Sequence, residues 1–248
     1  MGRKILFLFL SLSLLSSAAS SADAPPTTGQ ILLSVPNSWN SKTGKLKAFH
    51  WDGKEWKQSF KSSIDVLYGR NGLAWGRGVM PAPSGGSVKK EGDGKAPAGF
   101  FAVPKVLGYA GKLPGGSKGI PYRSVTKWDA WIDDPKNPYY NKHYVADPGN
   151  VPSWFNSQKM RHGDFAYEWL IQIDHNANTP KPGAGSAIFF HVRRGPSRYT
   201  SGCTTMRKEQ LEEIIKWLNP EMKPHYVLLP RAEYEKLKGP WNLPEFGN

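Results

Sequence analysis

The sequence predicts a mainly β domain, a sandwich or a partly closed barrel, with one clear α-helix. Short apolar or alternating segments recur at hairpin spacing along the chain. Among the 248 residues, 26 glycines and 21 prolines supply frequent turns, and only one segment carries a sustained helical period. Many short strands joined by turns rich in Gly and Pro are typical of sandwiches and barrels.

The first half of the chain carries several strand signals around one hairpin. Asp52-Gly53 separates two segments that contain aromatic residues, and this dipeptide is typical of tight hairpin turns. The other segments are short, apolar and bounded by Gly or Pro. The predicted strands of this half cover residues 31–35, 45–51, 54–60, 64–68 and 100–103.

The second half adds a pair of strands and the helix. Apolar and polar side chains alternate from Tyr167 to His175, and the apolar run 187–190 follows as the simplest sheet neighbour. Apolar residues then recur at helical spacing from Leu211 to Leu218, which predicts a helix that begins near Arg207 and ends before Pro220. A last short strand is expected at 226–229.

Residues 121–161 show no convincing period of either kind. The segment is rich in Trp, Tyr, Pro and Asp, and it is longer than a compact domain usually leaves as a plain connection. We interpret it as an insertion that walls a groove, with a purely structural cap as the alternative.

The N-terminus predicts an exported protein. Residues 1–24 combine a basic start, an apolar run over 5–15 and a stretch of small residues, the layout of a signal peptide. The apolar run is too short to span a bilayer, which takes about 20 residues. After cleavage we expect a flexible leader (25–30), one domain (31–230), a loose C-terminal tail (231–248) and no integral membrane segment, with the protein in the periplasm, the cell wall or the extracellular space.

The charge and the composition limit the classes of molecule that the protein is expected to bind. The formal net charge is +13, which favours polyanions, and export together with the lack of a nucleic-acid-binding motif favours an acidic envelope polymer over nucleic acid. The six histidines are scattered without ligand spacing, so neither a metal site nor a cofactor is predicted. With one cysteine, no intramolecular disulfide can form.

That single cysteine, Cys203, is the main candidate for chemistry. It lies in a small, polar segment after Gly202, twelve residues beyond His191, which ends an apolar strand. A thiol is a strong nucleophile as the thiolate, and an imidazole within hydrogen-bond reach is the usual activator. A helix N-terminus just beyond Cys203 would also favour the thiolate. The alternative is a small buried thiol and an ordinary polar histidine.

These residues resemble the catalytic motif of the L,D-transpeptidase (YkuD-type) family. The family pattern is a His, a loop, and then Ser/Thr-x-Gly-Cys, and here it is matched by His191, Thr200, Gly202 and Cys203. The segment 92–101 resembles a family strand. The chain departs from the pattern in a shorter loop, in Ser201 and in Thr205, which stands where a basic or amide residue is common.

The resemblance implies a β-sandwich-like fold and acyl transfer on peptidoglycan stem peptides. Cys203 would form a thioester with D-Ala leaving, His191 would move the proton, and the backbone N–H groups of Gly202 or Cys203 would hold the oxyanion. The acceptor would be a diaminopimelate amine. A backbone carbonyl, Ser201 or Thr200 could orient His191. The residues expected to bind substrate are Tyr122, Asn141, His175, Arg193, Arg194, Thr200 and Ser201.

Two further functions stay open on the sequence. With water as the acceptor, the protein would be an L,D-carboxypeptidase that trims stem peptides. With an inert Cys203, it would be a non-catalytic, basic wall-binding protein.

Overall fold

The computed structural model describes residues 25–247, so the predicted signal peptide lies outside the described residues. The strands are β1 (Gln30–Ser34), β2 (Thr43–Trp51), β3 (Trp56–Gln58), β4 (Ile64–Leu67), β5 (Leu73–Trp75), β6 (Ala96–Ala102), β7 (Val106–Gly108), β8 (Tyr122–Ser124), β9 (Asp129–Trp131), β10 (His143–Val145), β11 (Trp169–Gln172), β12 (Phe189–Val192), β13 (Thr204–Met206) and β14 (His225–Leu228). The helices are α1 (Phe155–Gln158), α2 (Lys208–Trp217) and α3 (Arg231–Leu237). Within the described range every helix is too short or too polar to span a bilayer.

Twelve of the strands form one mixed sheet. Its order is β5-β6-β14-β1-β2-β4-β13-β12-β11-β7-β8, with β3 paired to β2. Four of the pairs are parallel, namely β1–β14, β5–β6, β7–β8 and β12–β13. The prediction of a mainly β fold with few helices is therefore confirmed.

The sheet folds over on itself. Phe190 of β12 and Tyr226 of β14 meet edge to face with ring centroids 4.6 Å apart, although four strands lie between β12 and β14 in the sheet order. Both side chains are almost fully buried. Such a contact requires the two halves of the sheet to face each other, and the burial of apolar side chains between them is the main favourable term that holds the fold together.

The predicted hairpin is present, but its turn is longer than the sequence suggests. Trp51 pairs with Trp56, so residues 52–55 form a four-residue loop. The Asp52 carboxylate accepts hydrogen bonds from the backbone N–H groups of Lys54 (2.9 Å) and Glu55 (2.8 Å). These two bonds favour the longer turn over the two-residue turn that Asp-Gly usually forms.

The two predictions that matter most for the site also hold. Strands β11 and β12 are antiparallel neighbours, with Leu170 opposite His191. Helix α2 follows β13, and its buried residues are the apolar ones that the periodicity selects, with Leu211, Ile214 and Ile215 on the inner face. Trp169 at the start of β11 donates from Nε1 to the Glu212 carboxylate at 2.9 Å, which fixes α2 on the sheet.

Residues 121–161 fold into small elements instead of a long loop. Strands β9 and β10 make a separate two-stranded sheet, and α1 packs near it. Asp129, fully buried in β9, accepts from Arg123 (2.9 Å), Thr126 and His143 (2.8 Å). These bonds hold the pKa of Asp129 down at about 2 despite its burial, so the insertion carries its own polar centre.

The expectation of a loose C-terminal tail is wrong, and the predicted flexible leader (25–30) does not extend to Gln30. Residues 231–237 are helical, and Tyr234, Trp241 and Phe246 are buried in the main core. The Tyr234 hydroxyl donates to the Pro244 carbonyl and accepts from the Phe246 N–H, both at 2.9 Å. At the other end, Gln30 is already the first residue of β1 and is almost fully buried. The tail is ordered despite its Gly and Pro residues, because burial of its aromatic side chains stabilises it against the core.

Candidate active site

The candidate site is a cleft of about 410 Å³ at one end of the parallel pair β12–β13. His191 lies within β12, and Cys203 immediately precedes β13. Because Phe190 pairs with Thr204, Cys203 lies beside the start of β12. The cleft is lined by Lys89, Glu91, Gly92, Asp133, Tyr167, Ser186, Ala187, Ile188, His191, Arg194, Tyr199, Thr200, Ser201, Gly202 and Cys203.

Cys203 is a partly buried residue whose thiol is protonated at neutral pH. Its Sγ donates to the Ala187 carbonyl at 3.4 Å. Burial raises the pKa of Cys203 to about 11, and the Phe189 backbone and the positive charges of Lys89 and Arg194 only partly offset this. The sequence-based expectation of a helix N-terminus that favours the thiolate is wrong, because β13 lies between Cys203 and α2.

His191 is a buried, neutral imidazole. Its Nδ1 lies 2.9 Å from the Val192 carbonyl oxygen, which can only accept, so the ring proton is on Nδ1 and Nε2 carries a lone pair. Burial is the main reason that the pKa of His191 falls to about 4, and the nearby Arg194 lowers it further. The Tyr167 ring packs against the imidazole at a centroid distance of 5.7 Å. Of the three orienting groups considered from the sequence, the structure supplies the backbone carbonyl.

Thr200 fixes the loop that carries the cysteine. Its hydroxyl donates to the Cys203 carbonyl (2.5 Å) and accepts from the Gly202 N–H (3.0 Å). The Gly202 amide, one of the two predicted oxyanion donors, is therefore already engaged. The Cys203 N–H is the other, and among residues 25–247 it donates to no backbone acceptor, so it remains available to a developing negative charge. Ser201 accepts from Arg70 Nη1 at 2.7 Å at the rim.

The structure brings part of the predicted substrate-binding set into the cleft. Arg194, Thr200 and Ser201 line it together with the Cys–His pair, and the Arg194 guanidinium forms an ion pair with Asp164. Four other predicted residues have side chains that lie elsewhere, so the structure gives no support to a substrate-binding role for them. They are Tyr122, Asn141, His175 and Arg193.

Each of these four has a structural partner instead. The Tyr122 hydroxyl donates to the Ala110 carbonyl at 2.6 Å, and its ring packs beside Trp169. Arg193 donates to the Asp65 carbonyl and lines a different groove. The sequence could not separate Arg193 from Arg194, because only the path of the chain after β12 decides which of them faces the cleft.

Asn141 is a structural bracket behind the cleft. Its Nδ2 donates to the carbonyls of His175 (3.0 Å) and Asn176 (2.8 Å), and its Oδ1 accepts from Trp131 Nε1 (3.1 Å) and the Ala187 N–H (3.0 Å). Ala187 has the left-handed φ of 54° that alanine seldom adopts. Asn141 therefore helps hold in place the residue whose carbonyl accepts the Cys203 thiol proton.

Two charged residues of the cleft, Lys89 and Glu91, come from the segment between β5 and β6. Lys89 is a lysine with 3% exposure whose Nζ pairs with Asp93 at 2.6 Å. The Glu91 carboxylate accepts from Tyr140 and, at 2.7 Å, from Ser186. Their one sequence signal is position, since they directly precede the segment that resembles a family strand. The insertion contributes Asp133 to the lining and packs Trp131 on Phe189 at 4.8 Å, in agreement with its predicted place beside the groove.

Three comparisons with known proteins bear on this site. A search of curated proteins finds no match. One solved structure matches, the helical cell shape determining protein Pgp2 from Campylobacter jejuni, with 14% identity and a TM-score of 0.38 over 86% of this chain and 52% of that one. This chain thus spans about half of the length of that protein, and the low TM-score supports no inference about function. The family model of the L,D-transpeptidase catalytic domain (YkuD) matches residues 39–227. By this match, which includes both His191 and Cys203, the chain belongs to the L,D-transpeptidase catalytic domain family, whose function is in the cell wall.

Proposed function

We propose that the protein is a peptidoglycan L,D-transpeptidase that works through a thioester on Cys203. The observation that carries the proposal is the joint placement of the Cys203 thiol and a neutral His191 imidazole on one cleft, within a domain of this family. The substrate would be a stem tetrapeptide, with D-Ala leaving and a diaminopimelate amine as acceptor. Its place of action would be the cell envelope, after export.

The pKa directions favour a neutral pair over a preformed thiolate–imidazolium pair. At pH 7 the thiol holds its proton, and His191 Nε2 is unprotonated. The thiol therefore rotates from the Ala187 carbonyl to Nε2, which takes the proton as Sγ attacks the peptide carbonyl carbon. The carbonyl oxygen becomes an oxyanion, and the Cys203 N–H donates to it.

Collapse of this intermediate completes the first half. The C–N bond breaks, the proton on Nε2 passes to the departing D-Ala amine, and the thioester remains on Sγ. The acceptor amine then attacks the thioester carbonyl and gives its proton to Nε2. The C–S bond breaks, and the thiolate recovers the proton from Nε2. No external oxidant or reductant is required.

Arg194 is our candidate for the substrate carboxylate. This chain has Thr205 where the family pattern has a basic or amide residue. A cation from elsewhere in the chain would therefore bind the substrate carboxylate. Arg194 is exposed and lines the cleft, whereas Arg193 does not. A guanidinium can bind a carboxylate through two parallel hydrogen bonds, and a substrate would compete with Asp164 for it.

The test is incubation of the protein, lacking residues 1–24, with disaccharide tetrapeptides, followed by mass spectrometry of the muropeptides and of the intact protein. We expect cross-linked dimers and an acyl adduct on Cys203, and neither with Cys203→Ala. Because Cys203 is the only cysteine, the adduct has one possible thiol. Tripeptides without dimers would instead identify an L,D-carboxypeptidase. A protein that forms no adduct and no product, yet sediments with peptidoglycan sacculi, would be the wall-binding alternative.

A further inference from the structure

A second and larger groove lies outside the cleft. It has a volume of about 660 Å³, and strands β2 and β4, the segment after β12, the start of α3 and the C-terminal residues all contribute to it. We call it the basic groove. The cations that line it are Lys45, Lys47, Arg193 and Arg231, and the one carboxylate is that of Asp65. The charged lining therefore has an excess of three positive charges.

Two of these cations have no carboxylate partner in the described part of the chain. The Lys47 ammonium donates only to the carbonyls of Phe246 (2.7 Å) and Gly247 (3.1 Å). Arg193 donates to the Asp65 carbonyl, while its buried Nε has no partner among residues 25–247. Lys47 and Arg193 therefore line the groove without a carboxylate to neutralise them, and their charge is available to an anion that enters it.

The groove also offers neutral donors on the same walls. Ser41, Thr43 and Ser63 line it, and their hydroxyls can bind anionic oxygens beside the cations. Donors that approach from several walls suit the tetrahedral oxygens of a phosphate better than the planar oxygens of a carboxylate. The volume exceeds what one small anion fills, which favours several linked groups.

The basic groove and the cleft are lined in part by residues that are neighbours in the chain. Arg193 lines the groove, and the next residue, Arg194, lines the cleft. The Nζ of Lys42 lies 5.7 Å from the centre of the ring of Tyr199, which lines the cleft. The residue after Lys42, Thr43, lines the groove. A linear anion seated in the groove would therefore hold the cleft beside the polymer to which it belongs.

We propose that the basic groove binds a linear polyanion that carries phosphodiester or phosphate groups. This binding site is separate from the thioester chemistry, so it survives in Cys203→Ala. Each phosphate contact releases counterions, and the affinity therefore falls steeply with salt.

The probe is fluorescently labelled linear inorganic polyphosphate, and the measurement is anisotropy over a range of salt concentrations. The double variant Lys47→Gln/Arg193→Gln is expected to bind at least tenfold more weakly and to lower the salt slope by about 2. The matched control Lys112→Gln/Lys118→Gln removes the same charge from exposed loop positions and should bind almost as well as the wild type. Equal losses in the two variants would mean a non-specific charge effect and would overturn the proposal.

A second measurement needs no variant and so does not depend on whether the double variant folds. Lysines of the wild type are acetylated with and without polyphosphate and quantified by mass spectrometry. Selective protection of Lys45 and Lys47 is expected, and protection spread evenly over the surface lysines contradicts the site.

Two further probes define the chemistry. Polyglutamate of matched charge tests carboxylate, and tighter binding of polyglutamate would overturn the phosphate assignment. Vesicles of phosphatidylglycerol test a lipid phosphate. Binding to vesicles that depends on the groove and that polyphosphate cannot displace would overturn the assignment to a linear polymer.

Discussion

Two buried histidines lie near opposite ends of β12, and they differ in how their ring nitrogens are hydrogen-bonded. The pKa of each histidine is lowered to about 4, mainly because the ring is buried. His175 uses both ring nitrogens, since Nδ1 accepts from the Arg77 N–H (3.1 Å) and Nε2 donates to the Ala184 carbonyl (2.9 Å). His191 uses only Nδ1, on the Val192 carbonyl.

The comparison teaches that a shifted pKa does not by itself identify a reactive histidine. The distinguishing feature is the second nitrogen. His191 Nε2 has no hydrogen-bond partner within residues 25–247, and the residue lines the cleft with Cys203. His175 is a structural histidine that joins the segment after β11 to its neighbours, as a fully satisfied buried polar group does.

The largest expected effect comes from His191→Gln. Gln has a similar length and keeps a polar side chain, so the fold should be kept, but its amide cannot take a proton from the thiol. Turnover should fall by about 10²–10⁴-fold, the usual contribution of a general base. Rates of muropeptide cross-linking measure this, with His50→Gln, on β2, as the matched control. An active His191→Gln enzyme would remove His191 from the mechanism.

His175→Phe should show the opposite pattern. The ring shape is retained, but the Arg77 N–H and the Ala184 carbonyl lose their partner, and each unpaired buried group costs about 1–3 kcal/mol. The free energy of unfolding, measured with urea, should fall by that order, while the turnover of the protein that remains folded stays within a few-fold of the wild type. A stable but inactive His175→Phe would place this histidine in the chemistry after all.

Asn141→Asp tests the bracket behind the cleft. The shape is unchanged, but the oxygen that replaces Nδ2 would face the carbonyls of His175 and Asn176, to which Nδ2 donates. We expect a loss of stability of about 1–3 kcal/mol and a slower alkylation of Cys203, since the carbonyl of Ala187 would shift. Thermal unfolding and the rate of iodoacetamide labelling measure the two effects. If neither changes, Asn141 does not position the site.

The pH dependence follows from the two lowered pKa values. An unfolded histidine takes up its proton near pH 6.5, whereas both folded histidines resist protonation until about pH 4. The unfolded state therefore binds more protons in this window, and the stability that is fully present above pH 6.5 is lost as the pH falls towards 4. Urea unfolding at several pH values should show a shallower loss for His175→Phe than for the wild type. Equal slopes would contradict a lowered pKa for His175.

The proposed neutral pair of Cys203 and His191 also predicts how the thiol reacts at different pH values. With the pKa of Cys203 raised to about 11, labelling of the free enzyme with iodoacetamide should keep accelerating well above pH 8.5, the value of an ordinary thiol. Labelling that levels off below pH 7 would indicate a preformed thiolate and would contradict the neutral pair.

The smallest expected effect is that of Thr205→Val. Thr205 is opposite His191 in the β12–β13 register, and its hydroxyl has no partner among residues 25–247. Removing an unpaired buried hydroxyl should leave the free energy of unfolding unchanged or raise it by up to about 1 kcal/mol. Activity should also be unchanged. A marked loss of activity would mean that this hydroxyl contacts substrate at the place where the family pattern has a basic or amide residue.

The sequence by itself determined the mainly β fold, the pairing of β11 with β12, the extent of α2 and the choice of His191 and Cys203 as candidates. Each of these depends on short-range pattern, namely alternation, helical period and spacing within one segment, because local side-chain order is visible in a single chain. The length of the hairpin loop was less predictable, since the Asp52 side chain competes with the turn that Asp-Gly usually forms.

Only the tertiary structure decided which polar residues share the cleft and which support the core. Lys89, Glu91 and Asp133 reach the cleft from segments far apart in the sequence, and Asn141 and His175 lie behind it. The protonation states of Cys203 and His191 were also decided there. The physical reason is burial: the loss of water shifts both pKa values and depends on how distant segments pack, which no local pattern encodes.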